Sequence, residues 1–343
     1  MKTNYWKINN HTSANEQILK EAAALLSKGS IVAFPTETVY GLGADATSEE
    51  AVSKIFQAKG RPQDNPLIAH VASQQQLKQL VSELPPFAKQ LMDVFSPGPL
   101  TYILPSNGTC AANVTAGLST IAVRIPDHPV AQHLLGNCNI PIAAPSANLS
   151  GKPSPTTADH VWADLNGKIA GIIDGGPTGV GVESTVIDCT QEIPIILRPG
   201  GVTKEQIKDV AGSVMMDPAL AGAKEKGQPK SPGMKYKHYA PEVPLWLVEG
   251  GPEAIQAIVR QEQQHSKQIG VLAGSQTAKL ITADQVIALG ENAEEVAIHL
   301  YDGLRTFKDG DVDLILCEVF SEVGIGQAIM NRLKKAATTY IGK

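Results

Sequence analysis

A pair of cations on one loop is the first group in this sequence whose types and spacing suggest chemistry. Lys59 and Arg61 flank Gly60 at the expected end of a helix, and two prolines then hold Asn65 in an extended loop. Such a pair can hold a triphosphate, because two unit charges about 4 Å apart interact by roughly 4 kcal/mol at an effective dielectric constant of 20. Compensation of the helix dipole is the alternative interpretation.

An arginine inside an apolar segment is the second candidate. Arg124 lies in STIAVRIP, where an unpaired guanidinium would be costly, so it requires either an internal acid or the carboxylate of a ligand. Thr120 begins the same segment and can face the same cavity. His70 lies in the apolar segment LIAHV, where a buried, hydrogen-bonded histidine is the simpler interpretation and a ligand contact the other.

Hydroxyl-rich and glycine-rich loops follow several of the predicted strands. Hydroxyls, amides and unshielded backbone N–H groups suit ribose and phosphate oxygens, although ordinary turn chemistry also accounts for them. The residues concerned are Thr36 and Thr38 in FPTETVYGLG, Ser146, Asn148, Ser150 and Ser154 in 140–157, Glu183, Ser184 and Thr185 in 174–186, and Arg198 in RPGG. Together they predict a polar ligand site at strand ends of one domain.

Several standard signatures are missing from the sequence. There is no GxxxxGK[ST], no GxGxxG after a strand, no GxSxG and no HExxH. No candidate nucleophile pairs with a histidine and an acid, which disfavours covalent hydrolase chemistry.

These residues require a layered α/β or α+β domain to position them. Apolar positions between 18 and 26 predict a helix that Gly29 ends, and Thr47 with Glu50 predicts a capping box opening a helix that ends at Gly60. Short β-branched runs predict a sheet of seven or more strands. The candidate strands are 30–34, 67–71, 100–104, 120–125, 140–144, 169–174, 184–189 and 193–198.

The second half of the chain has a different pattern. Periodicity fades in 211–241, which we interpret as a linker, and strands and helices alternate again over 242–343, which predicts a compact βα-type domain. The linker segment 231–241 contains Tyr236, His238 and Tyr239, whose rings are suited to cover an open cavity and exclude water. An ordinary interdomain strap is the alternative.

Composition bounds the class of protein and its surroundings. The chain has 343 residues, 43% hydrophobic and 18% charged, with a formal net charge of -5, which argues against a surface coated with phosphate-neutralising cations. The four cysteines include no CxxC pair, and we expect no metal site built by the protein. Without a signal peptide or a long apolar run, we expect a cytoplasmic protein with no membrane partner.

Seven ordered motifs resemble the threonylcarbamoyl-AMP synthase (YrdC-like) family. They span residues of about 16–210: PTETVYGLG, KGRPQDNPL, SPGPLTYIL, AVRIP, APSANLSGKPSPT, GVESTVID and LRPGG. SPGMKYKHYAP and the domain after it are similar to the longer members of that family. The resemblance implies a catalytic domain over 1–210 with a twisted mixed sheet and a concave active site, a linker over 211–241, and a smaller Rossmann-like domain over 242–343.

The resemblance also implies a reaction and its residues. L-Threonine, bicarbonate and ATP would give threonylcarbamoyl-adenylate and pyrophosphate, with Mg²⁺ carried by ATP, for a downstream transferase that modifies tRNA to N6-threonylcarbamoyladenosine. Direct contact with tRNA would be weak or absent. Threonine would contact Thr38, His70, Arg124, Ala144 and Ser184; ATP would contact Arg61, Asn65, Thr120, Ser146, Ser154, Arg198 and Tyr239; Lys59 and Arg61 would be the catalytic cations.

Two other functions are compatible with parts of the pattern. A double-stranded RNA-binding module would use a broad concave face. The negative net charge of the chain argues against this function. A carbamoyl-transferring domain serving another acceptor is the third hypothesis, disfavoured because zinc-finger and acylphosphatase-like segments are missing.

Overall fold

The chain forms two compact units. A computed structural model describes residues 2–8, 13–221, 229, 238–308 and 310–342. The first unit comprises Met1–Ser150, Pro155–Gly179 and Glu183–Lys235, and the second comprises Gly151–Ser154, Val180–Val182 and Tyr236–Lys343. This division differs from the predicted domains in giving two short segments of 1–210 to the second unit. Most of the predicted covering segment 231–241 lies outside the described residues, including Tyr236.

The first unit is built around a mixed sheet. Its strand order is β1-β8-β2-β3-β7-β4-β6-β5-β9-β10-β11 among the described residues. The strands are β1 Asn4–Lys7, β2 Val32–Phe34, β3 Gly41–Asp45, β4 Ile68–His70, β5 Leu100–Pro105, β6 Thr120–Arg124, β7 Ile142–Ala143, β8 Gly171–Asp174, β9 Thr185–Asp188, β10 Ile195–Arg198 and β11 Met215–Met216. All eight predicted strands are confirmed, whereas β1, β3 and β11 escaped prediction.

Strand β3 shows why the sequence pattern missed it. It lies within the glycine-rich segment 34–43, which we interpreted as an irregular turn. A Cβ at Gly43 would lie 2.8 Å from a methyl carbon of Ile142 and 2.9 Å from the Phe34 ring. The strand therefore uses glycine to let its neighbours approach, and glycine is otherwise depleted in strands.

Helices cover the sheet of the first unit. They are α1 Ser13–Ser27, α2 Glu49–Lys59, α3 Gln74–Lys78, α4 Pro86–Phe95, α5 Ala112–Thr115, α6 Pro129–Cys138, α7 Ala158–Leu165 and α8 Lys204–Ala211. The predicted capping box at Thr47 is wrong: Ser48 caps α2, and the Thr47 hydroxyl instead donates to Asp45. Gly60 ends α2 in the left-handed conformation, with φ of 62°, as predicted.

Alternation along the central strands separates two faces of this sheet. In β6, Ile121 and Val123 point into the main core beneath the helices, whereas Ala122 points to the other face. That other face, which we call the site face, has an apolar floor between 0 and 7% exposed. The floor consists of Ile68, Ile103, Ala122, Val186 and Leu197.

The second unit is a parallel α/β layer structure, as the Rossmann-like prediction requires. Its sheet has the order β14-β13-β15-β12-β16. The elements are β12 Leu245–Val248, α9 Gly251–Gln264, β13 Ile269–Ala273, α10 Ser275–Ala278, β14 Gln285–Ala288, α11 Ala293–Thr306, β15 Leu314–Glu318, α12 Gly326–Ala336 and β16 Thr339–Ile341. Short α10 and β16 escaped prediction. Within the described ranges, no helix of either unit is long and apolar enough to cross a bilayer.

Candidate functional site

A row of paired residues runs across the site face. His70 pairs with Arg124, Arg124 with Thr101, Thr101 with Val186, and Val186 with Arg198. Residues directly opposite one another in neighbouring strands project to the same face. The order β4-β6-β5-β9-β10 therefore places two arginines, a histidine and a threonine on one surface. We call this row, with the loops next to it, the Arg124 end of the site face.

Arg124 is buried and held on three sides. Its side chain lies 2.6 Å from a Glu37 carboxylate oxygen, donates from Nη1 to the Thr38 hydroxyl at 2.9 Å, and donates from Nε to the Gly98 carbonyl at 3.3 Å. The guanidinium is thus paired with an internal acid, one of the two alternatives that its sequence left open. A guanidinium has five N–H donors, so three contacts leave capacity for a further anion.

The neighbouring loop uses its two threonines differently. Thr36 donates to the carbonyl of Val39 at 2.7 Å and accepts from two backbone N–H groups, which is the local turn role considered from sequence. Thr38, which is fully buried, accepts from Arg124 instead. Only Thr38 of the two therefore belongs to the charged group.

His70 is neutral at physiological pH. Burial, and then the neighbouring Arg124 charge, lower the pKa of His70 to about 3. Its Nδ1 lies 3.2 Å from the carbonyl oxygen of Ile68, and its ring meets the Phe34 ring edge-to-face. The histidine thus presents a neutral polar edge beside Arg124.

Ser184 and Arg198 complete the same end. The Ser184 hydroxyl lies 2.8 Å from that of Thr101, and Arg198 donates to the Ser184 carbonyl at 3.0 Å and to its hydroxyl at 3.3 Å. A bulge between Ile196 and Arg198 sets Arg198 opposite Val186. Arg198, predicted for ATP, therefore adjoins Ser184, predicted for threonine.

A second group, which we call the Lys59 end, is organised around the lysine that ends α2. Its buried ammonium donates to the carbonyls of Ser146 at 2.5 Å and Asn148 at 2.6 Å. The Ser146 hydroxyl donates to the Asn148 side chain at 2.5 Å. Lys59 thus reaches across to another loop instead of capping its own helix, and it fixes the shape of the 146–148 turn.

Four further predicted residues of the first unit have surroundings of their own. Arg61 is half-buried and donates to the carbonyl of Pro66 at 3.3 Å. Asn65 is 1% exposed, and its Oδ1 makes no hydrogen bond among the described residues. Thr120 begins β6, four residues or about 13 Å from Arg124 along the strand. The buried Ala144 bonds through its backbone N–H to Ile68, where β4 begins.

Ser154 and Tyr239 lie in the second unit. Arg305 holds the segment containing Ser154, donating to the carbonyl of Pro153. The Tyr239 ring is 5% exposed and stacks on Tyr301 with ring centres 5.5 Å apart. Their predicted contacts with ATP stay predictions.

Sequence reasoning missed two participating side chains. Glu37 was noted only as part of a polar turn, and Thr101 only as part of an apolar strand. A usable signal existed for Thr101, which is the polar member of LTYIL on the side opposite Tyr102. Glu37 carried no comparable signal, because its partner Arg124 is distant in sequence.

The donor set bears on how a divalent cation would be held. No group of three or more His, Cys, Asp or Glu side chains converges in the part of the chain that the structure describes. These residues do not fit a metal cage built by the protein. The described residues offer an arginine–glutamate ion pair beside an apolar floor, and a hydroxyl-bearing loop held by the Lys59 ammonium.

Comparisons with known proteins find similar chains along the whole sequence. A family model described as "Telomere recombination", for Sua5, YciO and YrdC proteins, matches residues 24–200, and one described as "Threonylcarbamoyl-AMP synthase, C-terminal domain" matches 202–338. The chain is 54% identical to a Bacillus subtilis threonylcarbamoyl-AMP synthase over 342 residues, 98% of each protein.

Solved structures give the same result. The crystal structure of Pyrococcus abyssi Sua5 complexed with L-threonine matches with a TM-score of 0.92 and 44% identity over the whole of both chains. A variant of that protein with one histidine and one tyrosine changed to alanine matches with a TM-score of 0.93 and 45% identity, covering 99% of this chain and 98% of the other.

Proposed function

The chain belongs to the threonylcarbamoyl-AMP synthase family, and we propose that it makes the adenylate on the site face from L-threonine, bicarbonate and ATP. It is an enzyme of nucleotidyl transfer. The observation that carries the proposed site is the buried Arg124–Glu37 pair at one end of an apolar floor. We assign the second reactant to the Lys59 end, so that both reactants are held in place for the reaction.

Threonine binds at the Arg124 end in this proposal. Its carboxylate accepts from the remaining donors of Arg124, and its ammonium group faces the Glu37 carboxylate. A zwitterion fits a guanidinium–carboxylate pair because each of its charges meets the opposite one. Thr38, Ser184 and the neutral His70 then surround the threonine side chain and backbone, and Ala144 closes the floor beside them.

ATP binds toward the Lys59 end. Ser146, Thr120 and Asn65 supply hydroxyl and amide groups to the nucleotide, while Arg61 and Lys59 neutralise phosphate charge. Lys59 also holds the 146–148 loop in shape. Arg198, which adjoins Ser184, is placed to contact the phosphate nearest threonine.

The chemistry requires placement and charge neutralisation more than a protein nucleophile. The threonine nitrogen, after losing a proton, forms a bond to the carbon of CO₂ or bicarbonate, giving a carbamate. With CO₂ the nitrogen releases a second proton, and with bicarbonate a water molecule leaves. A carbamate oxygen then bonds to the α-phosphorus of ATP, and the bond to the β-phosphate oxygen breaks. Pyrophosphate leaves with that electron pair. Glu37 is positioned to accept the amine proton.

The surroundings of the reaction follow from the same proposal. Mg²⁺ enters with the nucleotide as part of MgATP. The product is a mixed anhydride that water can hydrolyse, so a transferase that modifies tRNA consumes it downstream. We propose that this takes place in the cytoplasm, without direct tRNA binding by this chain.

Product analysis tests the function. ATP, bicarbonate and isotopically labelled threonine are incubated with the full chain, and the products are separated by mass spectrometry. We expect an adenylate carrying the label and one bicarbonate carbon, formed together with pyrophosphate. Pyrophosphate release that is independent of threonine would contradict the proposal.

Matched variants test the site. Arg124→Ala is expected to raise the KM for threonine by at least 100-fold, because a charge-assisted bidentate contact is lost. Arg260→Ala, which removes an exposed arginine of α9, is the control and should leave that KM unchanged. An Arg124→Ala enzyme with an unchanged KM for threonine would refute the assignment.

Salt-titrated RNA binding tests the rival function. A double-stranded RNA-binding module would bind duplex RNA tightly with affinity falling steeply as salt rises. We expect only weak binding. Tight binding without adenylate synthesis would favour the module.

A further inference from the structure

The first unit contains a cavity of about 640 Å³ to which the proposed function assigns no substrate. It lies beside the last turn of α2, the chain entering β2, the chain entering β8, and Leu149. Its volume lies in the range of small-molecule sites, which is about 300–1,000 Å³. Apolar walls come from Ile31, Ala58, Leu149 and Ala170.

The polar groups of the cavity have one sign of charge. Lys54 and Lys168 line it, and none of its ten lining residues is acidic. Lys54 donates to the carbonyl of Gly29 at 2.9 Å and pairs with the exposed Glu50, while Lys168 donates to the carbonyl of Asp164 at 3.4 Å. Each ammonium has three N–H donors, so Lys54 and Lys168 can each still donate to an anion at the rim of the cavity.

The wall of the cavity is also the support of Lys59. Lys59 and Gly60 line it, and the carbonyl of Lys59 accepts from the backbone N–H of Ser150 at 2.8 Å. Leu149 follows Asn148, whose carbonyl accepts from the Lys59 ammonium. A molecule in the cavity would therefore press on the residues that fix Lys59.

We propose that this cavity is a second ligand site, for a small amphiphilic anion whose apolar body contacts Ala58 and Leu149 and whose acidic group meets Lys54 and Lys168. Its occupancy shifts the Lys59 turn and so the affinity for ATP. That coupling rests on the proposed function, whereas the binding site does not.

Fluorescence of 1-anilinonaphthalene-8-sulfonate, an aromatic monoanion, tests the site on the full chain. We expect saturable binding that weakens about tenfold in the Lys54→Gln/Lys168→Gln variant, because two positive charges at the rim are lost. Glu50→Gln should strengthen binding two- to threefold, because it leaves Lys54 without its competing acid. Ala58→Phe should abolish binding by filling the cavity, with thermal unfolding as a check on its fold.

A control ion pair with the same sequence spacing as Glu50 and Lys54 lies on α1. Lys20 and Glu16 form an equivalent i,i+4 pair on α1, so Lys20→Gln and Glu16→Gln should leave binding unchanged. No saturable binding, or equal effects from the control pair, would overturn the site.

Calorimetry of ATP with and without the probe tests the coupling. By linkage, the factor by which the probe changes the ATP Kd must equal the factor by which ATP changes the probe Kd. We expect the two factors to equal each other and to differ from 1. No change would overturn the coupling, and complete displacement would place the probe in the nucleotide site and overturn the cavity. Failure of ATP to bind at all would instead count against the proposed function.

Discussion

The Arg124 end and the Lys59 end hold their buried cations by different means. Arg124 pairs with the carboxylate of Glu37, so a full negative charge lies 2.6 Å from the guanidinium. Lys59 donates to the backbone carbonyls of Ser146 and Asn148. One end is an ion pair between side chains, and the other is a side chain that shapes a loop.

This difference predicts how strongly a substitution at each end lowers the free energy of unfolding. Removing one partner of a buried ion pair leaves an uncompensated charge, which costs about 3–5 kcal/mol. Removing a donor from a buried carbonyl costs less, about 1–3 kcal/mol. The Arg124 end should therefore be the more fragile in stability, and the Lys59 end the more sensitive in turnover.

The largest effect is expected at the Arg124–Glu37 pair. Arg124→Met should lower the free energy of unfolding by about 3–5 kcal/mol, since the Glu37 side chain, only 13% exposed, loses its paired cation. The double variant Arg124→Met/Glu37→Gln should lose less than the sum of the single variants. Urea unfolding measures all three.

The exposed pair Lys89–Asp93 provides the control for this cycle. Its ion pair has the same 2.6 Å separation, with about half of each side chain exposed. The coupling energy there should stay below about 1 kcal/mol. Equal coupling in the two pairs would remove burial as the distinguishing feature of the Arg124 end.

A smaller effect is expected at Lys59. Lys59→Met should lower the free energy of unfolding by about 2 kcal/mol, because two buried carbonyls lose a donor. Turnover should fall while the KM for threonine stays unchanged. Lys20→Met, an exposed lysine, should change stability by less than about 0.5 kcal/mol. A raised KM for threonine in Lys59→Met would contradict the assignment of threonine to the Arg124 end alone.

His70 makes the Arg124 end sensitive to pH. Its pKa is about 3 in the folded chain and about 6.5 when unfolded, so between these values the unfolded state binds the extra proton. This group therefore makes stability fall as pH falls from about 6.5 toward 3, by up to about 1.4 kcal/mol per pH unit.

Unfolding at several pH values isolates this contribution. The amide of His70→Asn can still donate to the carbonyl of Ile68. In this variant, the slope of the unfolding free energy against pH should decrease by the contribution of about one proton. Asn113→Leu, which removes no titratable group, should keep the slope of the parent chain. An unaltered slope in His70→Asn would mean that this histidine titrates normally.

The smallest stability effect is expected at Asn65. Because its Oδ1 makes no hydrogen bond among the described residues, Asn65→Leu should change the free energy of unfolding by less than about 1 kcal/mol. The KM for ATP should rise several-fold. Asn113→Leu, which removes amide bonds to Glu49 and Ser53 on α2, is the converse control: stability falls and the ATP KM does not.

Much of the fold followed from local patterns. The strands carrying His70 and Arg124 were predictable because apolar residues alternate or run continuously there, and α2 ends where Gly60 can adopt a positive φ. Strand β3 was not, because glycines carry no side-chain periodicity. The Ser48 cap was missed because Thr47 offers the same hydroxyl one residue earlier, and only the backbone path selects between them.

By itself the sequence determined which segments are strands and which cations and hydroxyls are available. Only the tertiary structure decided their partners: Arg124 with Thr38 and Glu37, Ser184 with Thr101, and Lys59 with the 146–148 turn. Those partners lie more than 80 residues apart along the chain. Strand order and register set which side chains become neighbours, and both arise from packing of the whole sheet and not from any local run of residues.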